Sequence, residues 1–163
     1  DYTNYSEGIF VGYRWFDKQN LEVSYPFGYG LSYTTFEYSN ATVKSENGVV
    51  TVSVEVKNNG NAEAKEVVEV YATAPGVDMN KPAKELRAYA KTNSLKAGES
   101  QTITMTFAEA DLASFCESKS AWVVDPGDYK VLVGASRRDI RATLDLAVAG
   151  SETKTSNVLH IQK

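Results

Sequence analysis

The sequence predicts an all-β fold, an antiparallel sandwich of two sheets. Three observations carry that prediction. Apolar and polar residues alternate with period two in several separate stretches, the mark of strands buried on one face. Turn residues separate those stretches at intervals of roughly 8–15 residues, as a sandwich requires. Only AEADLAS (108–114) reads as helical, and it is one or two turns long, so the long crossover helices of a parallel sheet are missing.

The strands follow in order. TFEYSNATVKS (35–45) is the first. In VVTVSVEVKNNGN, Val50, Val52, Val54 and Val56 share one face, while Thr51, Ser53, Glu55 and Lys57 share the other. The NGN triplet then closes the strand with turn residues. EVVEVYATAP (66–75) and KELRAYAKTNSL (84–95) read as the third and fourth. QTITMTF turns Ile103, Met105 and Phe107 inward, and DYKVLVGA turns Tyr129, Val131 and Val133 inward. DIRATLDLAVAG does the same with Ile140, Ala142, Leu144, Leu146 and Val148. Connectors ENG (46–48), KAGES (96–100) and DPGD (125–128) carry turn chemistry. The sandwich therefore occupies 35–149. The remainder, 150–163, is polar through Asn157 and apolar at Val158, Leu159 and Ile161, which suits a tail or an extra edge strand. There is no internal repeat, which weighs against a module from an adhesion array.

Residues 1–34 differ in character. Between Gly12 and Phe36 eight aromatic residues fall within 25 positions, together with three glycines and one proline. The stretch has neither the period of a regular amphipathic helix nor that of a strand, and it is too apolar for a solvated linker. It reads as an extended segment that precedes the sandwich and packs as an interface. It is expected to lie against the sandwich or a neighbouring molecule, with Trp15, Phe16, Phe27 and Tyr29 covered.

Charge narrows the partners. The chain has 17 basic and 21 acidic residues, a net of -4. The densest basic spot, SRRD (136–139), includes an acid. No basic surface for nucleic acid or an anionic membrane is expected. No apolar run reaches the ~20 residues of a membrane span. The chain opens on Asp1 without a signal-peptide pattern, which suggests a fragment or a processed product. Its single cysteine forbids an internal disulfide.

Catalytic chemistry finds few candidates. A nucleophilic cysteine needs a base, and Cys116 could be served only by His160, the one histidine. Cys116 reads better as a small buried residue. A Ser/His/Asp triad would need the same His160. A zinc site wants about four ligands, more than one Cys and one His supply. VDMNKPAKE (77–85) lacks the glycine and further acids of a calcium loop, and GYGLSYT lacks phosphate-loop spacing. No cofactor or metal is expected. Glycosidases use a pair of carboxylates across a pocket, and Glu7, Asp17, Glu22 and Asp125 are the conceivable members. Solvated or ion-paired structural roles suit them better. Asn4 and Asn40 match glycosylation sequons, a pattern too short to carry weight.

The opening stretch carries more than composition. EGIFVGYRWFD (7–17) followed by YPFGYGLSYTTFEYS (25–39) resembles the C-terminal region of glycoside hydrolase family 3, the β-glucosidases and their relatives. VSVEVKNNGNAEAKEVVEVYATAP, KPAKELRAYAKTNSLKAGESQTITMTF, DLASF and AWVVDPGDYKVLVGASRRDI agree in order. The resemblance covers about residues 5–145. It implies an immunoglobulin-like sandwich of the fibronectin type III-like kind, preceded by a linker from the catalytic region. It implies a parent that hydrolyses O-glycosidic bonds of glycosides or oligosaccharides with retention, through an aspartate nucleophile and a separate acid/base residue.

The nucleophile's Ser-Asp-Trp setting does not occur here, so no catalytic residue is carried onto this chain and the fragment alone is expected to be inactive. Periplasmic or secreted location follows by the same resemblance. So does packing of the linker on the upstream catalytic domains, through Tyr13, Arg14, Trp15, Phe16, Asp17, Pro26, Phe27, Tyr29 and Tyr33. The competing reading is a carbohydrate-binding sandwich, with Tyr71, Tyr89 and Trp122 as sugar-stacking rings. Against it, Trp122 reads more readily as a core or sheet-packing residue.

Overall fold

The structure is a computed structural model and describes residues 2–4, 6, 8–76 and 79–156. In chain order its elements are α1 (Tyr13–Lys18), β1 (Phe36–Glu46), β2 (Val49–Asn58), β3 (Val67–Thr73), β4 (Glu85–Lys91) and β5 (Ser100–Ala108). A single 3-10 turn (Glu109–Leu112) leads to β6 (Ser114–Cys116), β7 (Ala121–Val124), β8 (Gly127–Gly134), β9 (Ile140–Val148) and β10 (Ser151–Lys154). One antiparallel sheet has the order β1-β2-β5, and the facing one has the order β4-β3-β8-β9. A third, small sheet of order β10-β7-β6 sits beside them. The seven expected strands are the two large sheets.

The core lies where the alternation places it. Val50, Val52 and Val54 of β2 stand opposite Phe107, Met105 and Ile103 of β5, and all six are buried. The other sheet answers with Val68, Val70 and Ala72 of β3 and Tyr129, Val131 and Val133 of β8. Each buried valine contributes about 1.5–3 kcal/mol relative to an exposed one. On β9 burial is complete only at Leu146 and Val148; Ile140, Ala142 and Leu144 are half-buried. The DPGD turn is tied down twice: the Tyr129 hydroxyl donates to the Asp125 carbonyl at 3.0 Å, and the Asp125 carboxylate pairs with Lys81 at 2.8 Å, both side chains being buried.

The small sheet was not foreseen. AWVV is four residues long, too short to establish a period. SETK lacks any apolar residue, yet its backbone completes the sheet, Ser151 to Lys154 pairing with Val124 to Ala121. This edge strand holds the start of the 150–163 stretch, whose apolar residues Val158, Leu159 and Ile161 lie outside the described residues. AEADLAS makes a 3-10 turn rather than an α-helix, with the Asp111 carboxylate accepting from the Ala108 amide.

Candidate functional site: the face beneath the N-terminal segment

Strand β3 is buried on both faces. Val68, Val70 and Ala72 enter the sandwich core, while Glu69 and Tyr71 point the other way and are just as hidden. What covers that outer face is the N-terminal segment. The expected extended segment contains a helix, α1, which begins at Gly12 with a φ of 61° and is too short to show an amphipathic period. One turn suffices for its purpose, because it places Tyr13 and Asp17 on the same side.

Both residues meet Arg137, from the loop after β8. The Asp17 carboxylate takes the Arg137 guanidinium at 2.5 Å, with side chains only 12% and 3% exposed. That guanidinium lies 5.8 Å from the Tyr13 ring and 5.7 Å from the Tyr71 ring, a cation held between two aromatic faces. Burial lowers the Arg137 pKa, and Asp17 opposes that shift. The Tyr13 hydroxyl accepts the Leu86 amide at 3.1 Å, beside the bulge that makes Arg87 an extra residue in β4. Arg14 reaches Glu85 at 2.9 Å, and Glu85 also binds Arg87 at 2.7 Å.

The Pro26–Tyr29 turn supplies the second hold. The Tyr29 amide donates to the Pro26 carbonyl at 3.0 Å, and Gly28 has a φ of 79°, as the third position of a type II turn demands. A Cβ on Gly28 would lie 2.3 Å from the Glu69 carboxylate and at a positive φ, so any other residue strains the turn and displaces Glu69. The Tyr71 hydroxyl donates to Glu69 at 2.5 Å. Burial raises the Glu69 pKa, while the Tyr71 hydrogen bond pulls it down. From the loop, the Arg137 amide donates to the Phe27 carbonyl at 2.8 Å and the Arg138 guanidinium reaches the Leu21 carbonyl at 2.5 Å.

The segment joins the sandwich at a polar knot. Asn58 is wholly buried; its Oδ1 accepts the Thr34 hydroxyl at 2.6 Å, and its Nδ2 donates to the carbonyls of Ala62 and Leu95 at 2.8 Å each. Gly60 leaves room for the crossing chain: a Cβ there would meet Thr34 Oγ1 at 2.1 Å.

The residues named from sequence divide three ways. Tyr13, Arg14, Asp17 and Pro26 face the sheet or the loop beside it, and Phe27 meets that loop through its carbonyl while its ring stacks on Tyr13. Trp15, Phe16, Phe27 and Tyr29 were expected to be covered; they remain 41–48% exposed, and Tyr33 is fully exposed. The segment is therefore held by polar contacts and backbone, with much of its aromatic surface facing outward. Tyr71 is corrected outright as a sugar-stacking ring, because it is completely buried under the segment. Tyr89 is 71% exposed on β4. Trp122 is 49% exposed, so it is no core residue; it packs edge-on against Phe115, at 5.4 Å.

Asp17 and Asp125 are engaged in separate ion pairs, Glu22 is exposed, and Glu7 lies outside the described residues, as does His160. Cys116 is buried beside the Ser118 hydroxyl. Among the described residues no three His, Cys, Asp or Glu gather as metal ligands. No helix among them is long and apolar enough to cross a membrane. Arg137, Glu69 and Asn58 escaped the sequence reading. A glutamate inside the apolar run VVEVYA was the one signal available.

Known proteins share this fold. The fibronectin type III-like domain family matches residues 66–137, from the start of β3 to Arg137. Thermostable beta-glucosidase B of Acetivibrio thermocellus is 40% identical over 144 residues, which is 86% of this chain and 19% of that protein. The exo-alpha-(1->6)-L-arabinopyranosidase of Bifidobacterium longum is 40% identical over 150 residues, 91% of this chain and 20% of that one. Beta-glucosidase 3B from Thermotoga neapolitana, solved with glucose, superposes with a TM-score of 0.88 at 42% identity, over 93% of this chain and 21% of its own. The chain thus spans about a fifth of the length of these relatives. It is a fibronectin type III-like domain with its leading segment, and it belongs to the kind carried by family 3 β-glucosidases.

Proposed function

We propose that this chain is the C-terminal accessory domain of a β-glucosidase-type glycoside hydrolase, and that it braces catalytic domains lying upstream. The parent cleaves O-glycosidic bonds with retention, and the chain contributes none of the reacting groups. The observation that carries this reading is the segment itself. Its inner side is fixed to the sheet by Tyr13, Asp17 and Gly28, while Trp15, Phe16, Tyr25, Leu31 and Tyr33 face outward. An apolar face of that size on a soluble domain marks an interface. Relatives about five times as long supply the body for it to meet.

Two assays test the reading. The 163-residue chain should not hydrolyse an aryl β-glucoside. The full-length protein should, and Trp15→Asp with Tyr33→Asp should lower its unfolding temperature while leaving that of the isolated chain unchanged. Turnover by the chain alone, or a full-length protein indifferent to both substitutions, would overturn the proposal. A periplasmic or secreted location rests on the family resemblance, and fractionation of the source cells checks it.

A further inference from the structure

We infer that the groove around Trp122 is a glycan-binding site, separate from the docking face. Trp122 sits in the middle strand of the small sheet, with Phe115 of β6 and Thr153 of β10 as its direct cross-strand partners. Alternation turns Cys116, Ala121 and Val123 to the other side, where they are buried with Met79. Phe115, Trp122 and Thr153 therefore share an exposed face. The edge contact with Phe115, at 66° between the ring planes, fixes the indole before any ligand arrives.

Two hollows, of about 610 and 480 Å³, meet at this residue: Trp122, Arg87 and Ala113 belong to the walls of both. Each lies within the ~300–1,000 Å³ of ordinary small-molecule sites. A ligand that fills both is a chain passing along the indole, with a unit on either side.

The charges say what kind of chain. Arg14 and Arg87 share Glu85, a trio of net charge +1 that Glu117 in the same hollow offsets, and Lys81 is committed to Asp125. No unpaired cation remains in this set to hold an anion. Asn80 and Glu117 in the larger hollow, and Ser151 and Thr153 beside the smaller, carry no side-chain hydrogen bond among the described residues. Planar amide and carboxylate groups with hydroxyls beside an aromatic face suit a neutral ring with apolar C–H faces and hydroxyl edges, which is a pyranose. The choice of β-linked glucose as the probe rests on the proposed function.

The chain contains two tryptophans, Trp15 and Trp122. In Trp15→Phe the indole emission comes from Trp122 alone. Titration of that variant with cellotetraose should give a saturable change in emission. In amide NMR spectra of the unsubstituted chain the shifts should cluster on 79–87, 111–124 and 151–155. Trp122→Ala should weaken binding about tenfold or more. Asn80→Ala with Glu117→Gln, both on exposed side chains, should weaken it severalfold with the spectrum of the fold intact. Absence of saturation, shifts that cluster elsewhere, or undiminished binding by Trp122→Ala overturns the inference. A full-length enzyme that hydrolyses β-glucosides while its domain ignores cellotetraose sinks the groove and keeps the accessory-domain reading. Binding at the groove in a parent without glycosidase activity does the reverse.

Discussion

The sandwich and the segment on its outer face are held by opposite means. The sandwich rests on repetition: four valines of β2 and their partners on β3, β5 and β8 are each fully or almost fully buried, and none is indispensable in kind. The segment rests on singular contacts. Its helix contains no buried residue, and its attachment runs through the side chains of Arg14, Arg137 and Arg138, the fit of Gly28, the Thr34–Asn58 bond and the amides of Leu86 and Arg137. Distributed apolar packing tolerates exchange of similar side chains. A docking face built from single polar fits does not. The difference separates a part that must only be stable from a part that must be oriented.

The first test breaks the distinction at the residue that belongs to both regions. Tyr71→Ala removes a fully buried ring from beneath the segment and should destabilise the whole chain by about 3–5 kcal/mol, read from urea unfolding. Segment and sandwich probes should then move together.

The second separates them. Gly28→Ala forces a Cβ against Glu69 at a positive φ and should release the segment by about 1–2 kcal/mol. The reporters are the amides of Leu86 and Arg137, which donate to Tyr13 and Phe27. Their hydrogen exchange should accelerate about 5- to 30-fold, with the amides of β2 unchanged. Equal acceleration in β2 would mean that the two regions unfold as one.

A third concerns pH. Burial raises the Glu69 pKa above its ordinary 4.5. A carboxyl raised in the folded state stabilises the fold fully below its unfolded pKa, and loses that contribution as pH climbs through the folded value. Protection of the Leu86 and Arg137 amides should therefore decline as pH rises above about 4.5, after correction for intrinsic exchange. Glu69→Gln keeps a partner for Tyr71 and should flatten the decline; an identical pH profile in the variant would remove Glu69 from the docking face. The smallest effect belongs to Tyr33→Ser, whose ring is fully exposed: within about 0.5 kcal/mol in the isolated chain by urea unfolding.

The large sheets were legible because each inward face repeats: Val50 to Val56, Ile103 to Phe107 and Tyr129 to Val133 announce a strand over several periods. The third sheet was not, since AWVV offers too few residues and SETK is strand only through the backbone of its neighbour. α1 was missed for a related reason: six residues, opened by Gly12 and uncapped by any side chain, have no period to detect. The family signature marked the right segment but could not say which side of it faced inward. That depends on Arg137, which stands 120 positions away from Asp17 in a loop whose basic pair was notable only as the densest basic spot of the sequence. Tyr71 shows the same limit: its alternation with Val70 and Ala72 turns it out of the core, and only a distant segment decides that this outside is dry.

The knot at Asn58 has a mechanical consequence. Thr34 is bonded to the far end of β2 at the point where Phe36 begins β1, and Gly60 lets the two chains cross in contact. A pull on the segment is thus shared between β1, which continues it, and the end of β2, to which Thr34 is bonded. Whatever the segment is attached to moves the sandwich with it as a lever on a stiff joint, with no slack between them.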